Sequence, residues 1–203
     1  MSIKIKKFKV GRRLGSGVFD KCATPQFLTS QSRKSVRTGR PRKTSDYGFA
    51  LLDKQRVRFA YGVSEKQFRK YVEMANSMGH GGKKPADLLF QILESRLDNI
   101  VYRLGIAPTR RMARQLVSHG HLLVNGVKTT IPSHSPRSGD TVSVREASRE
   151  KGVFFELEKK MKGYKSPNWL KKDPAKLSAE IAGVPTDPDQ FFNFNAVIEF
   201  YSR

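Results

Sequence analysis

The sequence has one cysteine, no long hydrophobic run and few acidic residues. The single Cys22 excludes an internal disulfide and fits a reducing compartment. It is also a poor start for a zinc site, and none of the four histidines has a Cys or carboxylate at metal-ligand spacing, so we expect no metal and no cofactor. No apolar stretch approaches the roughly 20 residues of a membrane span. The first residues contain no apolar signal core, so we expect a soluble protein that is not exported and has no membrane partner.

Basic residues outnumber acidic residues by more than two to one. The chain holds 39 Lys and Arg against 18 Asp and Glu, which gives a net charge of +21 and an isoelectric point near 10.3. Such self-repulsion opposes folding unless a polyanion neutralises it. Nucleic acid is the first candidate and an anionic membrane surface the second. Residues 1–44 carry thirteen of the cations and one acid, Asp20, a net charge of +12.

The same 44 residues contain few large apolar side chains. A stretch such as residues 31–43 has too little apolar surface to offset the entropy that a chain loses on folding. We therefore expect residues 1–44 to form an extended basic arm that orders on its partner. We also expect the rest of the chain to fold without this arm.

Helical patterns dominate the middle of the chain. Ser64 and Gln67 have the spacing of a capping box, in which each side chain caps a backbone N–H at a helix start. Pro85 suits the first turn of another helix, whose apolar residues recur every three or four positions, with a break expected near Ser95. Residues 150–162 are typical of a charged helix. The apolar end of the chain, residues 197–201, is expected to pack on the helical part.

A short helix and a hairpin follow the long helical stretch. Thr109 is a suitable N-cap and Gly120 a suitable C-terminal stop. The pair Asn125-Gly126 lies between the apolar run Leu122-Leu123-Val124 and the largely β-branched run of residues 127–131, which is a strong signal for a tight hairpin turn. Residues 141–145 alternate between apolar and polar side chains, as a half-buried strand does.

The short helix has a basic face. At about 100° per residue, Arg110, Arg111, Arg114, Gln115 and Ser118 share an arc of about 140°. The apolar residues of the helix cover the opposite side. A guanidinium binds phosphate through two parallel hydrogen bonds and stacks on bases, whereas a lysine supplies charge alone. We call the three arginines the arginine stripe.

Two features favour a binding role for the stripe over an ordinary solvent-facing surface. No acidic residue occurs between Asp98 and Asp140, so we expect no neighbour that neutralises the arginines. His119 and His121 flank the glycine at the helix end, where their ring donors can reach phosphate or 2′-hydroxyl groups. The sequence therefore predicts a protein that binds folded RNA.

A series of short motifs runs along the chain. Between residues 96 and 144 the motifs are Arg96-Leu97-Asp98, Leu104-Gly105, Thr109-Arg110, Ala113-Arg114-Gln115-Leu116-Val117, His119-Gly120-His121, Val124-Asn125-Gly126, Gly139-Asp140 and Val144. Elsewhere they are Arg12-Arg13-Leu14-Gly15, Ser45-Asp46-Tyr47-Gly48, Lys54-Gln55, Tyr61-Gly62, Glu65-Lys66-Gln67-Phe68 and Glu199-Phe200-Tyr201-Ser202-Arg203. The motifs of residues 96–144 resemble the alpha-L RNA-binding fold, and the whole series resembles the family of bacterial small-subunit ribosomal protein four along nearly the full chain.

The resemblance implies an α+β fold. A mainly helical domain would carry an inserted alpha-L module, in which two short helices pack on a small curved sheet. We assign residues 1–44 to the extended basic N-terminal arm and residues 45–92 to the helical domain, completed by the C-terminal segment 163–203. Residues 93–162 would form the module and the helix that follows it.

The resemblance also implies a function. The protein would be a structural constituent of the small ribosomal subunit and a primary binder of 16S rRNA at a multi-helix junction of the 5′ domain. It would nucleate subunit assembly and contribute to translational accuracy. Its other partners would be small-subunit ribosomal proteins five and three, and mRNA where it enters the subunit, with no small-molecule substrate. The location would be the cytoplasmic ribosome, although the sequence does not separate a bacterial from a plastid source.

Site residues follow from matching positions and from the stripe. The RNA face of the module would include Arg110, Arg111, Arg114, Gln115, His119, His121 and Asn125. The arm would contribute Arg12, Arg13, Arg37, Arg40, Arg42 and Lys43. Some departures limit the transfer. The stretch around Gly39 lacks a Gly-Gln-His-Gly turn found in many relatives, one cysteine cannot form the zinc cluster of others, and residues 163–195 match only in patches.

Two other classes of protein use the same module. Pseudouridine synthases that modify rRNA carry an Arg-Leu-Asp segment with a nucleophilic Asp, which Arg96-Leu97-Asp98 resembles. Here Asp98 lies in an amphipathic helix that opens the binding module, and its neighbours are core residues. We therefore expect an Arg96–Asp98 pair with a structural or interface use, and no enzyme. A free RNA-binding stress or chaperone protein is the second alternative. Such proteins are generally shorter and lack the terminal matches.

Overall fold

The computed structural model describes residues 6–35, 45–79, 82–150, 152–186, 188–189 and 191–202. The chain divides into two compact units: Met1–Leu89 with Pro188–Arg203 forms unit 1, and Phe90–Asp187 forms unit 2. Unit 1 is helical, and unit 2 combines helices with a five-stranded antiparallel sheet. The α+β class is therefore confirmed. No helix in the described part of the chain is long and apolar enough to cross a membrane.

The described residues of unit 1 form helices joined by turns and loops. Ser45 is the N-cap of the helix Asp46–Ala60, since its hydroxyl accepts a hydrogen bond from the Gly48 N–H at 3.3 Å. Ser64 does the same for the Gln67 N–H at 3.3 Å, as its sequence spacing predicts. The helices that lie wholly in this unit are α1 (Lys7–Leu14), α2 (Pro25–Ser35), α3 (Asp46–Ala60), α4 (Glu65–Gly79) and α10 (Phe194–Ser202). Helix α5 (Pro85–Glu94) begins in unit 1 and ends in unit 2.

The prediction of an extended arm over residues 1–44 is wrong for residues 7–35. Two short 3-10 turns link α1 and α2, and Leu14, Val18, Cys22 and Phe27 are all buried. Gly11 permits this packing, because a Cβ at that position would lie 2.6 Å from the Cys22 sulfur. Residues 36–44 lie outside the described residues.

Contacts distant in sequence compensate for the low apolar content of this segment. The Arg56 side chain on α3 donates to the Leu14 carbonyl at 2.8 Å and so satisfies a helix end. The Phe8 and Phe27 rings stack with centroids 5.7 Å apart. Helices α1 and α2 therefore contribute buried side chains to unit 1. That the rest of the chain folds without residues 1–44 stays a prediction.

The C-terminal helix α10 packs on α3 and α4, as the apolar end of the sequence predicts. The Tyr47 and Phe200 rings lie 5.4 Å apart, and Tyr201 lies 6.2 Å from Phe68. Lys54, which is buried, lies 4.6 Å from the Phe200 ring centroid. The ammonium of a lysine over an aromatic face is attracted by the ring's negative charge density.

A charged group joins these three helices. The Glu65 carboxylate on α4 accepts hydrogen bonds from Lys54 Nζ on α3 and from the Tyr201 hydroxyl on α10, each at 2.7 Å. Burial opposes the charged carboxylate of Glu65, but these hydrogen bonds outweigh burial and lower its pKa. Burial and the adjacent carboxylate raise the pKa of Tyr201. The chain end is therefore held by both apolar and charged contacts.

Unit 2 begins with the end of α5 and contains α6 (Leu97–Arg103) and α7 (Arg110–Ser118). The break expected near Ser95 is confirmed by the gap between α5 and α6. The strands are β1 (Leu122–Val124), β2 (Val127–Lys128), β3 (Thr141–Val144), β4 (Leu170–Asp173) and β5 (Ser178–Ile181), in the order β2-β1-β3-β5-β4. Buried side chains of α6, α7 and the sheet form one core.

Strands β4 and β5 were not predicted. The Lys171-Lys172 pair in β4 breaks the apolar pattern, and the strand is recognised only through its pairing with β5, in which Leu170 faces Ile181. The assignment of residues 163–203 to the helical domain is therefore wrong for residues 163–187, which belong to unit 2.

The predicted helix over residues 150–162 is a series of shorter elements. This range holds a 3-10 turn at Gly152–Phe154 and most of α9 (Leu157–Gly163), and α8 (Glu146–Arg149) precedes it. Glu156 has a left-handed backbone (φ 58°) and ends any continuous helix at that point. The interruption lets Phe154, Leu157 and Met161 all turn into the core of unit 2.

The lowered pKa of Glu65 predicts how the stability of this protein changes at low pH. A carboxyl group whose pKa is depressed on folding stabilises the fold above its unfolded pKa of about 4.3, and this contribution is lost as pH falls through the folded pKa. Glu65→Gln should therefore lower the free energy of unfolding at neutral pH, and this loss of stability relative to the natural protein should shrink in acid. Urea unfolding of both proteins between about pH 7 and about pH 3 measures the difference in the free energy of unfolding. Tyr201→Phe, which keeps the Lys54 pair, should show a smaller change of the same sign. A stability difference that does not vary with pH would contradict the assignment.

Candidate nucleic-acid interface

Helix α7 presents its polar face to solvent, as its sequence pattern predicts. The Thr109 hydroxyl accepts a hydrogen bond from the Met112 N–H at 3.2 Å and fixes the first turn. Ala113, Leu116 and Val117 are buried in the core of unit 2. The opposite face is exposed and carries Arg111, Arg114, Gln115, Ser118 and His119.

Arg110 differs from the other two arginines of the stripe. Its Nε donates to Asn99 Oδ1 at 2.8 Å, and its NH2 group lies 3.8 Å from a Glu94 carboxylate oxygen. The guanidinium also lies 4.5 Å from the centroid of the Tyr102 ring. The expectation that no acid neutralises the stripe is therefore wrong for Arg110, because the sequence gap between Asp98 and Asp140 does not describe neighbours in space.

The exit from α7 gathers further cations that sequence reasoning missed. The side chain of Lys128 on β2 lies directly over Gly120, whose φ of +71° also favours glycine. The backbone N–H of Arg145 donates to the His121 carbonyl at 2.9 Å, so the backbone of this exposed arginine lies beside His121. Strand register is the signal that could have found Arg145, since Leu122 pairs with Val144.

The two histidines have different surroundings. His119 is exposed at the C-cap of α7, and its ring centroid lies 6.2 Å from that of His121. His121 is half-buried: its Nδ1 lies 2.9 Å from the Ser148 hydroxyl oxygen, and its ring contacts Phe154 edge-on at 5.6 Å. Its orientation is therefore fixed by the protein, and His119 is the more accessible of the two.

Asn125 shapes the hairpin turn. It has a left-handed backbone (φ 49°), followed by Gly126 (φ 79°), as the turn between β1 and β2 requires. Its amide nitrogen donates to Asp140 at 2.8 Å, and its amide oxygen accepts from the Thr141 N–H at 2.8 Å. Both ends of the side chain thus hold the turn to the start of β3.

Arg96 and Asp98 form the expected structural ion pair. The guanidinium donates two hydrogen bonds to the carboxylate, at 3.0 and 2.6 Å, and both residues are buried. The Leu97 and Asp98 N–H groups donate to the His134 and Pro132 carbonyls at 2.7 and 3.2 Å. These contacts fix the start of α6 against the loop before β3.

Unit 1 carries its own basic surface. Arg12 and Arg13 are exposed on α1, whose buried residues are Gly11 and Leu14. The other predicted arm residues, Arg37, Arg40, Arg42 and Lys43, lie outside the described residues. Among the residues that the structure describes, no cluster of three or more His, Cys, Asp or Glu side chains could hold a metal ion.

The fold and the exposed basic face define unit 2 as an RNA-binding module of the S4-domain class. The family model for the S4 domain matches residues 95–142, and the model for the ribosomal protein S4/S9 N-terminal domain matches residues 3–94. Together they cover most of the chain. The second match coincides largely with unit 1.

Similarity to individual proteins extends over nearly the whole length. The small ribosomal subunit protein uS4 of Roseiflexus sp. (strain RS-1) is 46% identical over 204 residues, with 96% of each chain covered. The proteins of the same name from Akkermansia muciniphila and Aquifex aeolicus are 43% and 37% identical, with at least 95% of each chain covered. The chain therefore belongs to the uS4 family of small ribosomal subunit proteins, which confirms the resemblance and means that it is not an enzyme.

The contacts of Asn125 predict a structural effect of its substitution. Asn125→Gly keeps a residue that tolerates positive φ but removes the hydrogen bonds to Asp140 and Thr141, so it should lower the free energy of unfolding by about 1 kcal/mol. Urea unfolding followed by circular dichroism measures the change. Asn125→Asp, which keeps the acceptor oxygen but places a carboxylate beside Asp140, should cost at least as much. Unchanged stability in both variants would show that the turn does not depend on this side chain.

Proposed function

We propose that this chain is a structural constituent of the small ribosomal subunit and binds 16S rRNA through two basic surfaces. One is the α7 surface, formed by Arg111, Arg114, Gln115 and His119 together with Lys128 and Arg145 at the helix exit. The other is the face of α1 that carries Arg12 and Arg13. The observation that carries the proposal is the exposed polar face of α7 within a chain that matches uS4 proteins along their length.

Arginine and lysine on this surface suit a polyphosphate ligand. Binding should release counterions from the RNA, so affinity should fall steeply as salt is raised. Specificity should come from the shape of the RNA, because side chains cannot enter the deep groove of an RNA duplex. The N-terminus of α7 adds a partial positive charge beside Arg111. His121 and Asn125 lie at the edge of this surface, where their contacts within the protein fix its shape.

The finer parts of the proposal concern place and partners. We propose that the protein binds a multi-helix junction of the 5′ domain of the rRNA, nucleates assembly and contributes to translational accuracy. Ribosomal proteins five and three of the small subunit and mRNA where it enters the subunit would be its other neighbours. The location would be the cytoplasmic ribosome. The residues of the chain that support binding beyond α7 include the basic arm positions Arg37, Arg40, Arg42 and Lys43.

Replacing an arginine on the α7 surface tests the RNA-binding site. Arg114→Ala should weaken binding to a transcript of the 16S rRNA 5′ domain by about 1–3 kcal/mol and reduce the salt slope by about 0.7–0.9, because one phosphate contact is lost. Filter binding or fluorescence anisotropy across a salt series measures both quantities. Arg69→Ala on α4 is a matched control, since Arg69 is exposed and pairs with Glu73 at 3.0 Å in unit 1. If Arg114→Ala leaves affinity and slope unchanged, the proposed surface is wrong.

Footprinting tests the proposed place on the rRNA. The pure protein should protect a compact set of nucleotides around one junction of the 5′ domain from nuclease. Arg111→Ala and Arg114→Ala combined should remove protection from part of that set. Diffuse protection along the whole transcript would contradict the junction assignment and indicate a general RNA binder. Co-sedimentation with small subunits through a high-salt wash separates a ribosomal constituent from a loosely bound factor.

A further inference from the structure

Glu94 is a buried carboxylate at the end of α5, with only 1% of its surface exposed. It accepts two hydrogen bonds from Arg103 on α6, both at 2.8 Å, and one from the Asn99 side-chain amide at 2.9 Å. Arg110 NH2 on α7 lies 3.8 Å from the same carboxylate. One acid therefore connects three helices of the RNA-binding module.

The same cluster binds Arg110 in two more ways. The Asn99 side chain donates to Glu94 and accepts from Arg110 Nε at 2.8 Å, so it bridges the acid and the base. The Tyr102 ring supports the guanidinium at 4.5 Å. As a result, only 17% of the Arg110 side-chain surface is exposed, whereas Arg111 and Arg114 are exposed on the same helix.

Burial decides how firmly Arg110 is held. An ion pair between exposed side chains contributes little and can be exchanged for another partner. A fully buried carboxylate that loses a cationic partner leaves its own charge less compensated, which is costly. An RNA phosphate would therefore have to compete with Glu94, Asn99 and Tyr102 together for the Arg110 guanidinium.

We propose that Glu94 is a positioning residue that keeps Arg110 from direct phosphate contact and makes Arg111 and Arg114 the phosphate-binding cations of α7. The inference rests on the proposed RNA-binding function. Phosphate contacts add affinity for any RNA, whereas an oriented helix face adds affinity only for the RNA whose shape fits it. Glu94 thus lowers general attraction while it fixes the face, and so raises selectivity for the cognate junction.

The test is the salt dependence of binding by the full chain, measured on the 5′ domain transcript and on an unrelated RNA duplex. Glu94→Gln keeps a hydrogen-bonding side chain but removes the charge that holds Arg110. The salt slope should become steeper by about 0.7–0.9 on both RNAs. The ratio of the two affinities should fall by at least several-fold. A residue with only a structural role would lower affinity without steepening the slope.

Second variants show which cation is released. The gain in slope should disappear in Glu94→Gln with Arg110→Ala and persist in Glu94→Gln with Arg103→Ala. Glu158→Gln is the matched control for added charge, because Glu158 is an exposed acid of the same unit that pairs with Lys162 at 2.6 Å. An equal gain of slope in Glu158→Gln, or a gain that survives Arg110→Ala, would overturn the proposal.

Arg110→Ala alone decides the question where Glu94→Gln does not fold, as judged by circular dichroism. We expect weaker binding to the 5′ domain with an unchanged salt slope. A loss of slope equal to that of Arg114→Ala would show that Arg110 contacts phosphate directly and would overturn the proposal while leaving the proposed function intact. If Arg114→Ala also leaves the slope unchanged, the RNA-binding surface itself is wrong, and the inference is overturned with it.

Discussion

Burial of charge at the meeting point of α5, α6 and α7 is the constraint on which the RNA-binding module depends. Glu94 pairs with Arg103 and Arg110 there, and Arg96 pairs with Asp98 at the start of α6. Each buried ion costs several kcal/mol in lost hydration, so such groups are tolerated only where good geometry returns that energy. Throughout the described ranges, no buried side-chain nitrogen or oxygen lacks a hydrogen-bond partner. A fully satisfied network of this kind permits few alternative helix arrangements.

Compaction and net charge oppose one another in this chain, and the fold separates them in space. Apolar side chains of α6, α7 and the sheet form the core of unit 2, and the aromatic residues of α10 complete unit 1. The cations stay outside these cores, apart from a few with specific partners. Lys54, for instance, can be buried because its ammonium group pairs with the Glu65 carboxylate and lies over the Phe200 ring. A surface with this excess of cations has too few acids of its own, and rRNA supplies the missing negative charge.

Local signals made α7 and the hairpin predictable. The N-cap Thr109, the spacing of the apolar residues and the pair Asn125-Gly126 each act over a few neighbouring positions, and the structure follows them. Helices α1 and α2 could not be predicted in this way, since their stability depends on Arg56 and on the close approach of Gly11 to Cys22. Most of the polar face of α7 was therefore predictable, and the packing of the N-terminal residues was not.

Strand β4 shows the same limit for sheets. Its sequence is too short and too basic to be recognised alone, and it becomes a strand by pairing with β5. In the candidate site, the sequence does not show which charged side chains pair with one another in space. Glu94 precedes Arg110 by a helix and a loop, so no helical projection of α7 includes it. Lys128 and Arg145 likewise reach the α7 exit only through strand pairing and the hairpin.

The net charge of a protein does not show which of its cations can bind an RNA phosphate. Lys159, Lys162 and Lys176 each pair with an acid nearby in sequence, but these side chains are mostly exposed. Exposed pairs of this kind contribute little, so a phosphate can replace the acid at small cost. Arg110 also lies near an acid, but that acid, Glu94, is buried and shared with Arg103. The burial of the paired acid therefore decides which cations can bind phosphate. The number of phosphate contacts follows from the tertiary structure, and helix α7 offers fewer phosphate-binding cations than its sequence contains.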